Sequence, residues 1–250
     1  MITLASDFPT PYPAAMRGVI CSRSDARIEE IAHDFPRQDV RATAFWLREV
    51  LPYFPPATHC VVVDPGVGTD RAAVVVEAGD HHVVAPDNGV AIPVARELAG
   101  DDFAVWEIEY EDDETASNTF HGRDVFAPGA ADVHDAGGPE AVDRCVPTDD
   151  WVDLTFPEPE VLASAARGEV LVVDGFGNVV TNVPGETVAD RDTVRVGGES
   201  VPVRDAYAAL DPEDRLVTVG SHGNVEFAVN QGRGDEAFGL AVGDDVLLEW

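Results

Sequence analysis

The chain reads as an α/β protein in two parts, an N-terminal three-layer α/β/α domain over residues 1–146 and a C-terminal β-barrel-like domain over 168–250. Three observations carry this expectation. Up to about residue 146, apolar strand-like runs alternate with stretches of helical periodicity, the pattern of a sheet covered by helices. Beyond 168 the apolar runs are short, rich in valine and separated by glycine and aspartate, as in a small barrel or sandwich. Between them, residues 147–160 carry three prolines and several acids, so 147–167 is read as a linker.

Taken in order, residues 2–6 form a first strand, and a proline-rich loop leads to a helix near Ala14–Ser22. Arg27–Ala32 is extended. Asp39 is placed to cap a helix running to about Tyr53, in which Val40, Ala44, Leu47 and Leu51 recur at helical spacing and make one buried face. Strands follow at 59–63, 72–77 and 82–85, then a helix whose first turn accommodates Pro93. Phe103–Glu109 is a further strand, and Glu111 to Glu114 a solvated acidic loop. In the second part, strands are expected at 169–173, 178–183, 193–196, 200–203, 216–219, 225–229 and 245–249. There is no internal repeat.

Composition narrows the function. The chain has 250 residues, 45% of them hydrophobic, with 47 acids against 16 bases and a formal charge of −31; every strong base is arginine, and lysine is absent. An acidic surplus spread along the whole chain suggests a surface adapted to a salt-filled cytoplasm, where a Debye length of about 3 Å at 1 M salt screens self-repulsion. A nucleic-acid partner is disfavoured, because the basic stripe that phosphate binding needs is missing. No run reaches the apolar length of a membrane span. The start, Met1-Ile-Thr-Leu-Ala-Ser-Asp7, has no basic residue before its apolar run and reads as a strand, not a signal peptide. A cytoplasmic location is expected. Cys21, Cys60 and Cys145 form no Cys-x-x-Cys pair and read as reduced, mostly buried thiols. The histidines show no ligand spacing, so no metal is expected.

Three polar clusters stand beside apolar runs: Asp64-Pro-Gly-Val-Gly-Thr-Asp-Arg71 after the strand-like Val61–Val63, Thr119-Phe-His-Gly-Arg-Asp124, and Asp174-Gly-Phe-Gly-Asn178. Pro65, Gly66 and Gly68 force a turn that leaves Asp64 at the exit of a strand, where open α/β sheets bind ligands. The first cluster is no phosphate loop, since no Gly-Lys-Ser/Thr follows. The third lacks the third glycine and the helix of a dinucleotide fingerprint. Arg233-Gly-Asp235 matches an adhesion tripeptide, a three-residue coincidence in a chain of this kind. Asp64, Arg71 and His121 together bring a carboxylate, a guanidinium and an imidazole, a set able to hold one water and take its proton. Singly, each has a plainer reading as turn cap, surface ion pair and core histidine.

These motifs resemble, nearly end to end, those of the S-adenosyl-L-methionine (SAM) hydroxide adenosyltransferases, relatives of the SAM-dependent fluorinase and chlorinase. The matching segments are Ser6-Asp7, His33-Asp-Phe-Pro-Arg-Gln-Asp-Val40, the Asp-Pro-Gly-Val-Gly turn, Ala85-Pro-Asp-Asn-Gly89, the Thr-Phe-His-Gly-Arg-Asp block, Asp174 to Asn182, and Gly220-Ser221 through Asn230. The resemblance implies attack of water or hydroxide on the ribose 5′ carbon of SAM, giving adenosine and L-methionine, with SAM as substrate and no cofactor. Arg71 would stabilise hydroxide character, while Asp64 and His121 hold the water and accept its proton, the base being either. Asp7 would take the ribose hydroxyls, Asp174 the methionine ammonium and Asn178 the nucleoside. Asn88, Tyr207, Ser221, Glu226 and the backbone at Val229 match further SAM contacts. The resemblance also implies a homotrimer with SAM bound at subunit interfaces. Where relatives show Asp-Phe-Gly and a longer loop, this chain has Asp7-Phe-Pro followed quickly by Tyr12-Pro-Ala-Ala-Met-Arg-Gly18. Two alternatives stay open. A chlorinase-like halogenase belongs to the same superfamily, but the halogenases place tyrosines at the positions of Asp64 and His121, and the fluorinase a halide-binding serine at Gly122. A non-catalytic SAM or adenosine binder would not need all of Asp64, Arg71 and His121.

Overall fold

The computed structural model describes residues 1–110, 116–117 and 119–250; the acidic stretch from Glu111 to Glu114 lies outside the described residues. The chain divides into two compact units, Met1–Thr155 and Phe156–Trp250. Of the stretch read as a linker, residues to 155 go with the first unit and those from 156 with the second.

The first unit is a seven-stranded mixed sheet covered on both faces. Its strands are β1 (Ile2–Ser6), β2 (Ile28–Ala32), β3 (Thr58–Val62), β4 (Ala73–Ala78), β5 (His81–Pro86), β6 (Phe103–Ile108) and β7 (Cys145–Pro147), in the order β2-β1-β3-β5-β4-β6-β7. The first four positions run parallel, and β4, β6 and β7 join them antiparallel. Parallel strands covered on both sides are largely apolar; β1 and β3 are buried at every residue, their polar Thr3, Ser6, Thr58 and His59 included. The hairpin between β4 and β5 turns on Gly79-Asp80, with Gly79 at φ +59, the left-handed conformation a two-residue turn demands of its first residue.

Helices α1 (Tyr12–Arg23) and α4 (Ala127–Ala136) pack together, as do α2 (Val40–Val50) and α3 (Ile92–Ala99). Alternation places Ile2 and Leu4 of β1 with Met16 and Ile20 of α1 and Ala130 and Val133 of α4 in one core cluster, and leaves Thr3 and Ala5 buried on the opposite face. Asp39 caps α2, its side chain accepting from the Ala42 N–H at 2.9 Å. The helix stops at Val50, short of the expected Tyr53, because Pro52 has no N–H to continue the ladder; Leu51–Tyr53 tighten into a 3₁₀ turn. Helix α4 was not expected from sequence, since Pro128 and Gly129 look like breakers. Pro128 sits in the first turn, where its missing N–H costs nothing. Gly129 lies against the sheet, where a Cβ would stand 3.0 Å from Ile108 Cδ1.

The second unit is a barrel of β8 (Glu160–Val161), β9 (Ala165–Val173), β10 (Val179–Pro184), β11 (Thr193–Val196), β12 (Glu199–Pro202), β13 (Arg215–Val219), β14 (Asn224–Val229) and β15 (Asp245–Glu249), with a short helix α5 (Gly234–Phe238). The path β12-β11-β15-β9-β10-β14-β13 is antiparallel, and β8 adds to β9. Its ends meet. Val203, just past β12, bridges Val217 of β13, and the Arg204 N–H donates to the Val217 carbonyl at 3.0 Å. The nearly closed sheet encloses Val170, Val179, Val194, Val217, Phe227 and Leu248. Strand β9 begins four residues before its expected start at 169, and α5 was not expected. Cys60 and Cys145 are buried and Cys21 is exposed; all three are free thiols.

Candidate active site

In the first unit, three segments distant in sequence converge. Asp64 follows β3 and is held by its own turn, where the Gly66 N–H donates to Oδ1 at 3.2 Å and Gly68 adopts φ +78. Arg71 stands just before β4 and pairs with Asp64 through two bonds, Nε to Oδ1 at 3.1 Å and Nη2 to Oδ2 at 2.5 Å. Its Nη1 donates to the Ala72 carbonyl at 2.8 Å, and the Phe126 ring lies 5.0 Å from its guanidinium carbon. Asp64 and His121 are only 8% and 5% exposed. Such a pair is no surface ion pair. Two charges taken out of water are held there by a planar fork that matches the carboxylate.

His121 opens a π-helical turn, Gly122–Phe126, that runs into α4. Its Nδ1 lies 3.3 Å from Arg71 Nη2. A guanidinium can only donate, so Nδ1 is the acceptor, and the neutral ring carries its proton on Nε2. Tyr110 meets the imidazole edge to face at 5.7 Å.

Asp64 and His121 line a cleft of about 640 Å³, together with Asp7, Phe8, Tyr12, Arg37, Gln38, Phe120 and Arg123. Phe8, Tyr12 and Phe120 pack edge to face, with centroids 5.4 to 6.5 Å apart. Asp7 sits at the exit of β1, and the Gln38 N–H donates to its Oδ2 at 2.6 Å. At the cleft rim, Arg123 donates to Asp124 at 2.6 and 2.7 Å, and this bond holds the Asp124 carboxyl below the usual carboxylate range. Asn88 takes a different place from the cleft residues. Its amide donates to the Val63 carbonyl at 2.9 Å and its Oδ1 accepts from the Val90 N–H at 3.1 Å, so it braces the strand end that carries Asp64.

The second unit brings four more expected residues into one hydrogen-bonded chain. Asp174 Oδ1 accepts the Phe176 and Asn178 N–H groups, each at 2.8 Å. The Asn178 amide donates to Asp174 Oδ2 at 2.9 Å and lies 3.5 Å from the Tyr207 hydroxyl. Tyr207 donates to Glu226 at 2.7 Å. Burial first, and then the Glu226 carboxylate, push the Tyr207 hydroxyl well above its ordinary range, so it stays a donor. Ser221 is exposed in the turn between β13 and β14, and Val229 is buried at the end of β14.

Sequence reading passed over His222. Its Nδ1 accepts the Asn224 N–H at 3.2 Å, and its Nε2 lies 3.6 Å from Glu226. It also passed over Phe176, 80% exposed at the tip of the Asp174 turn. Among the described residues, no group of three or more His, Cys, Asp or Glu is arranged to hold a metal ion, and no helix is long and apolar enough to cross a membrane.

A mixed sheet with an ion-paired acid and a histidine lining a cleft at its strand ends is the arrangement of an enzyme that binds a small molecule. The chain belongs to the SAM hydroxide adenosyltransferase family: residues 2–143 match its N-terminal domain and residues 168–247 its C-terminal domain. It is 37% identical over 238 residues to an (R)-S-adenosyl-L-methionine hydrolase of Salinispora tropica, covering 93% of this chain and 90% of that one. It is also 37% identical over 263 residues to the protein of that name from Thermus thermophilus, covering 97% of each. A crystal structure described as an uncharacterized conserved protein from Thermotoga maritima superposes over the whole of both chains, with a TM-score of 0.85 at 34% identity.

Proposed function

We propose that this chain hydrolyses SAM to adenosine and L-methionine, and that it prefers the (R) epimer at sulfur. The observation that carries the first part is the buried Asp64–Arg71–His121 cluster opening on a cleft, in a chain whose relatives carry that activity in their names. An oxygen of water bonds to C5′ as the C5′–S bond breaks and its electron pair returns to sulfur. The sulfonium becomes the neutral thioether of methionine, so the leaving group needs no proton. The work left to the protein is to aim and deprotonate the water. Asp64, whose carboxylate lines the cleft, takes the proton. His121, with Nδ1 turned to Arg71, helps to hold the oxygen in the cleft, and the fixed guanidinium stabilises hydroxide character. Asp7 takes the ribose hydroxyls, while Asp174, Asn178, Tyr207 and Glu226 hold the methionine and nucleoside ends.

The halogenase reading meets a steric obstacle at Gly122. A Cβ there would stand 3.0 Å from Phe8, 3.1 Å from Met16 Sδ and 3.2 Å from Phe120, so a halide-binding serine would require these side chains to give way by a few tenths of an ångström. Asp64 would also repel chloride.

The epimer preference rests on the relatives' names. The sulfonium is a pyramidal stereocentre, and hydrolysis confined to one epimer removes that form without draining the other. The family resemblance is what supports a homotrimer in which copies share sites. The acidic composition supports a salt-rich cytoplasm as the setting.

Incubation with each SAM epimer followed by chromatography is the test. Adenosine as product, with kcat/KM favouring the (R) form by roughly 10- to 200-fold, the discrimination one misplaced methyl gives, is the expected result. 5′-Chloro-5′-deoxyadenosine in molar chloride would establish the halogenase, and no product a binding protein. Mixing His121→Ala with Asp174→Asn subunits should give, at limiting SAM, more activity than either variant has alone.

A further inference from the structure

The segment His33-Asp-Phe-Pro-Arg-Gln38 has no place in the chemistry above, yet it forms one wall of the cleft through Arg37 and Gln38. A continuous hydrogen-bonded chain ends there. Arg17 of α1 donates to Glu30 Oε1 at 2.6 Å. Glu30 Oε2 lies 2.6 Å from His33 Nε2, and His33 Nδ1 lies 2.7 Å from Ser6 Oγ. Ser6 Oγ is also 3.4 Å from the Phe8 N–H. A carboxylate accepts, so Nε2–H donates to Glu30; Nδ1 is left to face the Ser6 hydroxyl, whose oxygen also accepts from the Phe8 N–H.

Ser–His–Glu connectivity invites a reading as a nucleophile and its base. Burial excludes it: Ser6 is 0% exposed, and a nucleophile must reach its substrate. What the chain does hold is the backbone on either side of Asp7. Ser6 precedes that residue and Phe8 follows it, and the same Ser6 oxygen engages both the His33 ring and the Phe8 N–H. Asp7 itself accepts from the Gln38 N–H at 2.6 Å, five residues along from His33. The loop after β2 is thus pinned to the end of β1 at two points, one through Ser6 and one through Asp7.

We propose that His33 is a positioning residue for substrate binding, acting through Ser6 to fix the Asp7 carboxylate at the cleft. This rests on the reading of Asp7 as the ribose contact. The chain touches neither the Asp64–Arg71–His121 cluster nor the water it handles, so its loss acts on affinity and spares the chemical step.

The test is calorimetric binding of adenosine and SAM, with steady-state kinetics, for His33→Leu, Ser6→Ala, the double variant, His33→Asn and Asp7→Asn. Losing one such bond should weaken adenosine binding roughly five- to tenfold, with kcat at saturating SAM within about twofold. His33→Leu and Ser6→Ala break the same link, so the double variant should match either single one instead of multiplying their effects. His33→Asn keeps an acceptor near Nδ1 and should bind within about twofold of the unaltered protein. Multiplying effects, or a fall in kcat with unchanged affinity, would overturn the proposal. If His33→Leu does not fold, Ser6→Ala against His33→Asn decides: a weakened first with a normal second supports it, and two normal results overturn it. Asp7→Asn separates the two layers. Unaltered adenosine binding in that variant removes the ribose contact and the proposal with it; weakened binding there, with Ser6→Ala and His33→Leu normal, removes the positioning role alone.

Discussion

Arg71 lies between the two groups proposed to handle water, bonded to Asp64 and 3.3 Å from His121. Removing either member of the buried pair strands the other charge, at a cost of about 3–5 kcal/mol, so loss of activity in such variants would mix chemistry with unfolding. His121 is the cleaner probe. His121→Ala should lower turnover about 10²- to 10⁴-fold with little change in SAM affinity, and His121→Gln, which keeps an N–H donor, should retain more activity than the alanine variant. Steady-state kinetics beside calorimetry checks both, and near-normal turnover in His121→Ala removes the residue from the mechanism. Asp174 offers a second probe, because an asparagine oxygen can still accept the two backbone N–H groups that shape its turn. Asp174→Asn should therefore keep those two turn bonds while losing the charge and the bond from the Asn178 amide, weakening SAM more than adenosine. Equal losses would mean that Asp174 does not face the ammonium.

At the scale of elements, β1, β3 and β5 carry a buried polar contact away from the cleft. Thr3 Oγ1 lies 2.8 Å from His59 Nδ1, and His59 Nε2 lies 2.9 Å from His81 Nδ1, with the two rings stacked at 5.2 Å. Burial, reinforced by His81 and His82, pushes the His59 imidazole down to about 3. An unfolded histidine titrates near 6.5, so below that pH the unfolded chain takes up a proton that the folded chain refuses. The stability tied to a neutral His59 is complete above pH 6.5 and drains away as the pH falls toward 3. Protonation of surface carboxylates acts in the same range, so the measurement is a difference. The stability of the unaltered protein relative to His59→Gln, from denaturant titrations, should shrink between pH 7 and pH 4.5. A difference that stays constant with pH would contradict the assignment.

For the whole molecule the dominant fact is charge. With 47 acids and 16 bases, carboxylates repel one another over a Debye length of about 10 Å at 0.1 M salt and about 3 Å at 1 M. Melting temperature should rise from 0.1 M to molar KCl. If copies share sites, mass by light scattering and activity should rise with it, since acidic surfaces brought together add to the repulsion. A midpoint and mass that do not move would remove the halophilic reading and leave the hydrolase reading standing.

The sequence by itself determined the fold class and pointed to the polar clusters from which the candidate site is built. Alternation and helical spacing report which face of an element is buried, and proline, glycine and aspartate report where it turns; both signals are local, which is why β1, the Asp39 cap and the valine strands of the barrel were legible. It also carried the ordered motifs that mark the family. Helix α4 was hidden because a proline and a glycine look alike as breakers until the sheet beside them explains the need for a small residue. Only the tertiary structure decided what meets what. Periodicity cannot say that Arg71 would turn to Asp64 and His121 together, that Asn88 would brace the end of β3, or that Ser6, His33 and Glu30 would join. Those contacts depend on how sequence-distant strands are ordered and registered in the sheet, and the tautomer of His121 and the burial of Ser6 follow from neighbours that no local pattern names.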